Sequence, residues 1–262
     1  MTEKTPEEPE EQTDEKEQQQ LPEDLEDLDP EDIDMEDLPP GLVPPRYLVG
    51  YVEPAVTIIG MVLLTLVWYG TRNHLPQSLT DRNRFYAWVA LNFVLLLVVP
   101  VIIIKLIFKR SLSDFGLQFG RVAIWWRYFV GFLIITVPVL IISSRFGDFQ
   151  AYYSRYSWAT ENHMELAMFA GGWLVYFFSW EFFFRGFWLF GLAPSLGAFS
   201  IFVQMVPFVM MHFSKPEAES FAAIIAGIAL GVMSYRSKSI IGCWLLHWLL
   251  AMVMYWFVFT SG

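Results

Sequence analysis

Of 262 residues, 55% are apolar and only 17% charged, too little polar surface to cover a soluble domain of this size, so a water-soluble globular protein is excluded and the chain falls in the membrane class. Charge is unevenly spread: residues 1–40 hold 18 Asp and Glu against two Lys, a tail of −16, whereas the whole chain carries −10, which leaves +6 for the remainder. The low pI is therefore a property of the tail alone. Cys243 is the sole cysteine, which excludes an intrachain disulfide.

The first 48 residues, rich in Glu, Gln and Pro, bury too little apolar surface to offset their ordering entropy, and a disordered acidic tail is expected there. Solvation is its simplest role; docking of a basic partner is the alternative. Pro39, Pro40, Pro44 and Pro45 punctuate the entry to the apolar region. The first twenty residues show neither a basic n-region nor an apolar h-region, so the first span is expected to act as the insertion signal.

Apolar runs then fall near 51–70, 84–108, 125–144, 166–192, 195–213, 219–236 and 239–259. Each is long enough at about 1.5 Å per residue to cross or nearly cross a bilayer. The expectation is an all-α, polytopic transmembrane helix bundle over residues 49–262, with about seven spans. Residues 109–124 mix charge, Gly and apolar side chains and suit an interfacial connector better than an eighth span. Trp68, Tyr69, Trp125 and Trp126 lie where an aromatic belt would meet the interface.

With the N-terminus in the cytoplasm, Arg46, Lys105, Lys109, Arg110, Arg121, Arg127, Arg236 and Lys238 fall inside, and Arg72, Arg82, Arg84, Arg145, Arg155 and Lys215 outside. Eight against six favours that orientation by a thin margin. A multi-pass protein of the cell (inner) membrane is expected, surrounded by lipid and without a nucleic-acid partner. Ala223, Gly227 and Gly231 recur every four residues, a packing signal that lets another helix backbone come close. No internal repeat of the kind that builds transporter halves is visible.

Four ionisable residues interrupt the apolar runs: Glu181 and Arg185 in the fourth, His212 late in the fifth and His247 in the seventh. The polar centre is thus expected in those three runs, with the first three spans as framework. A charge at the bilayer centre costs about 2.5 to 3.5 kcal/mol on insertion scales, so these groups should face the bundle interior or a wet cavity. Glu181 and Arg185 are four apart on one helix face and can pair. A self-neutralising pair that fixes packing is the plain reading of those two alone. Two histidines with a carboxylate are also the side chains needed to polarise a water or hold a divalent metal such as zinc, with Glu181, His212 and His247 as its ligands. Cys243, four residues before His247, is expected to be a packed core residue.

The strings around these residues are WEFFFRG at 180–186, FVMMH at 208–212 and LLHWLLA at 245–251. They resemble the three motifs of the CPBP (CAAX protease and bacteriocin-processing, or Abi) family of membrane peptidases, which includes the type II CAAX prenyl endopeptidases. That pattern reads Glu-Glu-x-x-x-Arg, Phe-x-x-x-His and His-x-x-x-Asn or Asp, and the resemblance covers roughly residues 100–260. It implies a water activated by the first Glu and the second-motif His, and an oxyanion stabilised by the third-motif His and Asn; a metal-dependent version has also been proposed for the family. Carried over, Glu181 is the second acid, Arg185 its partner, Phe208 a packing residue, and His212 and His247 are catalytic.

Two positions depart from the pattern. The first Glu is Trp180, and the third-motif Asn or Asp is Ala251. Adjacent helix residues point about 100° apart, so Glu181 does not reach the missing acid's place unless the helix rotates. The leading expectation is an endopeptidase acting on membrane-delivered peptides, with a prenylated C-terminus or a peptide leader as substrate, in which Glu181 and His212 activate water and His247 stabilises the oxyanion. A catalytically silent relative that binds a peptide or lipid in the old cleft is the second reading, and an ion-coupled transporter the third, since intramembrane Glu, Arg and His also build proton relays.

Overall fold

The computed structural model describes residues 52–76 and 78–260; the expected acidic tail lies outside them. Among the described residues the secondary structure is helical throughout, without strands. Helix α1 spans Val52–Tyr69 and α2 Asp81–Ile107, while α3 spans Val122–Ser143 and the short α4 Gly147–Tyr153. Helix α5, His163–Glu181, runs through a π-helical segment, Phe182–Trp188, into α6, Leu189–Leu196. Helices α7, Ser200–Met210, α8, Glu217–Ser237, and α9, Ile241–Thr260, complete the chain.

Among the described residues, six helical stretches are long and apolar enough to cross a membrane. The expected fourth and fifth spans form one of them, His163–Met210, broken where Gly197 turns with φ +52. From His163 to Leu196 the helix runs about 50 Å, a full crossing. The fifth run is instead an eleven-residue helix, α7, about 16 Å long and therefore half a span. Pro207 and the polar sequence after Met211 end it early. Hydropathy alone does not separate a half-span from a span, which is why seven were expected.

The α5–α6 helix is apolar on every side, and such a helix belongs in the middle of a bundle. Every residue from Ser179 to Leu192 is buried. Around it stand α1, α2, α7, α8 and α9, while α3 lies at the edge, burying only Trp125 and Phe129. Pro100 interrupts α2, and the backbone adjusts through π turns at Val94–Val98 and Ile103–Ile107, since Pro lacks an N–H and its ring crowds the preceding turn.

Residues 109–121 form turns rather than a span, as expected of a connector. They are tied down: the Arg121 N–H donates to Ser237 O at 2.8 Å, and the Ile240 N–H to Gly116 O at 3.0 Å. Phe115 is fully buried and stacks with Phe108 and Phe187. Of the expected belt, Tyr69 and Trp126 are exposed, whereas Trp125 packs on Gly242 inside the bundle.

The small-residue stripe on α8 does what its spacing implied. An added Cβ at Gly231 would sit 2.7 Å from Ile201 Cγ2, and one at Gly227 2.8 Å from Met205 Cγ. That closeness lets the Gln204 Nε2–H group of α7 donate to Gly227 O at 3.0 Å. Gly231→Val forces α7 away from α8 and is expected to cost about 1–3 kcal/mol, measured as a lowered thermal midpoint in detergent.

Candidate active site

The central helix carries two ionisable side chains into a space without water access. Glu181 and Arg185 are both 0% exposed. Their i,i+4 spacing places Arg185 Nε 3.3 Å from Glu181 Oε2 and Nη1 3.4 Å from Oε1. Each charge alone would be expensive at this depth, and together they are neutral. The guanidinium also lies over the Phe208 ring, 4.1 Å from its centroid, a cation–π contact strengthened by the dry surroundings.

A second partner for Glu181 arrives from α9. His247 Nδ1 lies 2.6 Å from Glu181 Oε1. A carboxylate only accepts, so this bond places the proton on Nδ1 and leaves Nε2 as the basic nitrogen. The ring is fixed on its flat side by Phe177, at 4.2 Å between centroids.

His212 comes from the turn after α7. Its Nδ1 is 2.8 Å from Phe208 O, and since a carbonyl only accepts, this imidazole also carries its proton on Nδ1 and a lone pair on Nε2. Ser220 Oγ–H donates to the His212 carbonyl at 2.7 Å and ties the turn to α8. Phe208 stands between the two histidines, 4.6 Å from the His212 ring and 6.3 Å from that of His247. Its expected packing role is borne out by these contacts and by full burial.

His212 and His247 both line a cavity of about 540 Å³. Its walls are largely aromatic, among them Trp88, Tyr156, Trp173, Tyr176 and Trp180. Arg84, Arg155, Lys215 and Asp81 add charge. Lys215 pairs with Glu219 at 2.6 Å, and Glu219 also accepts from the Tyr153 phenol. Burial, with Glu219 beside it, holds the Tyr153 phenol well above its usual range; burial pushes Tyr156 up to about 12. Both therefore stay neutral donors at ordinary pH.

The structure thus gathers Glu181, Arg185, Phe208, His212 and His247 in one cluster. It does not turn Glu181 toward the cavity: Trp180 occupies the wall, with its ring 6.1 Å from His212, and Glu181 points into the bundle. The π segment begins at Phe182, after both residues, so it brings no rotation that exchanges them. Ala251 packs against the core and places no donor in the cavity. Cys243 is a core residue as expected, fully buried with Sγ 3.2 Å from Leu230 O.

Among the described residues no three His, Cys, Asp or Glu side chains are grouped to hold a metal ion. The set Glu181, His212 and His247, expected from sequence as metal ligands, is not grouped around one ion: Glu181 is spent on His247 Nδ1 and Arg185 and does not line the cavity that the two histidines share.

Of the first three spans, α1 and α2 are not mere framework, contrary to expectation, whereas α3 lines no part of the cavity. Helices α1 and α2 supply Trp68, Arg84, Trp88 and Asn92 to the cavity, and Thr71 just beyond α1 joins them. Asn92 is fully buried in a long apolar run, and that polar interruption was the available signal.

Removing one member of the buried pair leaves the other charged and alone. Glu181→Ala should cost about 3–5 kcal/mol of stability, and the paired change Glu181→Met with Arg185→Met markedly less; thermal unfolding in detergent distinguishes them.

No curated protein and no solved structure matches the chain. Residues 162–253, which contain Trp180 through Ala251 with His212 and His247, match the family described as type II CAAX prenyl endopeptidase Rce1-like, a match over that segment that is consistent with the CPBP resemblance.

Proposed function

We propose that the protein is a membrane-embedded endopeptidase of the CAAX-processing type, acting on peptides delivered from the bilayer, with a prenylated C-terminus or a peptide leader as substrate. The observation that carries this reading is that His212 and His247 both line one cavity, each with Nδ1 hydrogen-bonded and Nε2 left with a free lone pair. The match over residues 162–253 supports the same class of reaction.

In this reading a water donates its hydrogens to the two Nε2 atoms and attacks the scissile carbonyl with its free lone pair. The proton passes to His247 Nε2, because the Glu181 carboxylate on Nδ1 stabilises the imidazolium that forms. The imidazolium then protonates the leaving amine. Glu181 works through His247, and Arg185 pairs with Glu181 and holds it in place. Trp180 stands where the family's first acid would face the cavity, so a single carboxylate does the work of orientation rather than of direct proton abstraction. With Ala251 in place of an amide, stabilisation of the oxyanion loses one donor, worth about 10² to 10³ in rate.

A catalytically silent binding protein is the second reading, favoured by the Trp180 ring in the cavity wall. The test is cleavage of a prenylated peptide by protein reconstituted in liposomes. His212→Ala and His247→Ala should each lower kcat/KM by about 10² to 10⁴. Wild-type turnover in both variants sinks the peptidase assignment to this site. No cleavage by the unaltered chain, with activity appearing in Trp180→Glu combined with Ala251→Asn, supports the silent reading.

A further inference from the structure

At the opposite end of the bundle from the catalytic cavity, a second cavity of about 460 Å³ lies between the connector, the end of α6 and the α8–α9 turn. The helix order places the start of α1, the end of α2, the connector, the end of α6 and the α8–α9 turn at this end. Seven exposed cations gather here, Lys105, Lys109, Arg110, Arg121, Arg127, Arg236 and Lys238, against Glu53 and Asp114 as the only acids among the described residues. The six basic residues of the other end are matched by Asp81, Asp148, Glu161, Glu165, Glu217 and Glu219. The positive field of the folded chain is therefore confined to one face.

Within that face the cavity concentrates hydrogen-bond donors. Arg110, Ser113, Gln118, Tyr235 and Lys238 line it together with one carboxylate, Asp114, and Phe190 and Pro194 give it an apolar wall. The Arg110 Nε contact to Asp114, at 3.5 Å with both side chains at least 40% exposed, is of small worth. Lys238 Nζ rests 4.5 Å from the Tyr235 ring centroid and has no carboxylate partner among the described residues. The frame is rigid, since Gln118 Nε2–H donates to Lys238 O at 3.1 Å in addition to the two backbone bonds that tie connector to turn.

Depth comes from the neighbouring aromatics. Phe119 is 74% exposed and Trp126 54%, on either side of the start of α3, where such side chains settle at the level of lipid headgroups. A cationic cavity at that depth, apolar on the side of the bundle, has the chemistry that holds a phosphate diester attached to acyl chains.

We propose that this cavity is a binding site for the headgroup of an anionic phospholipid, with Arg110 and Lys238 on the phosphate. The site is independent of the peptidase reading, and a free inorganic anion shares only its charge.

The test uses the full chain in detergent, its thermal midpoint titrated with phosphatidylglycerol, phosphatidylcholine or inorganic phosphate. Phosphatidylglycerol should raise the midpoint saturably, while the other two leave it unchanged at equal concentration. Arg110→Gln with Lys238→Asn should weaken the phosphatidylglycerol effect about tenfold or more; Asn suits the left-handed backbone at Lys238, φ 57. Should the double variant misfold, Arg110→Gln alone, on the exposed connector, should weaken the effect severalfold. Arg145→Gln at the other end should change nothing. Equal stabilisation by phosphatidylcholine or by phosphate, unaltered binding in the folded Arg110 variants, or an equal loss in the Arg145 variant overturns the proposal.

Discussion

The architecture of the site depends on one buried carboxylate. Glu181 has no access to water, and an isolated carboxylate in such surroundings would take up a proton or disrupt the helix packing. It is paired with Arg185 one turn along its own helix and accepts the Nδ1–H of His247 on α9. The same two contacts fix the side of the central helix that faces α9, the tautomer of His247 and the direction of its free nitrogen. Structure and chemistry therefore share a constraint: the group that makes the bundle tolerate charge also sets the tautomer of one cavity-lining imidazole.

The second histidine reaches the site because α7 is short. A full span would have carried His212 to the membrane edge, away from residue 181 at the middle of its helix. Stopping after eleven residues leaves His212 in a turn beside Phe208 and Trp180. Close packing at Gly227 and Gly231 keeps that half-helix against α8, so a stripe with no chemistry of its own sets the depth of a residue that has some. At the other end, the connector ties α2 and α3 to the α8–α9 turn and collects the cations into one surface.

Much of this was legible in the residues. The membrane class followed from composition, the connector from its charge and glycines, and the close approach along α8 from Ala223, Gly227 and Gly231. Glu181, Arg185, His212 and His247 stood out because ionisable groups are costly in apolar runs, and cost is readable without coordinates. The features that were not legible depended on where helices end and which way they face. Residues 195–213 read as a span because hydropathy sums composition and is blind to a turn at Gly197. Glu181 read as the residue that meets water because sequence places it beside Trp180 without saying which of the two faces the cavity. The metal set failed for a related reason: sequence does not show that Glu181 is spent on His247 and Arg185 behind the cavity wall, away from an ion the histidines could share.

Glu181 and His247 act as one unit, and a double-mutant cycle on stability tests this whether or not a substrate is in hand. Thermal or denaturant unfolding in detergent is measured for Glu181→Met, His247→Phe and the pair. A charge-assisted hydrogen bond between the two predicts a coupling of about 1.5 kcal/mol or more, the double variant losing clearly less than the two single losses combined. Losses that add to within about 0.5 kcal/mol would contradict it.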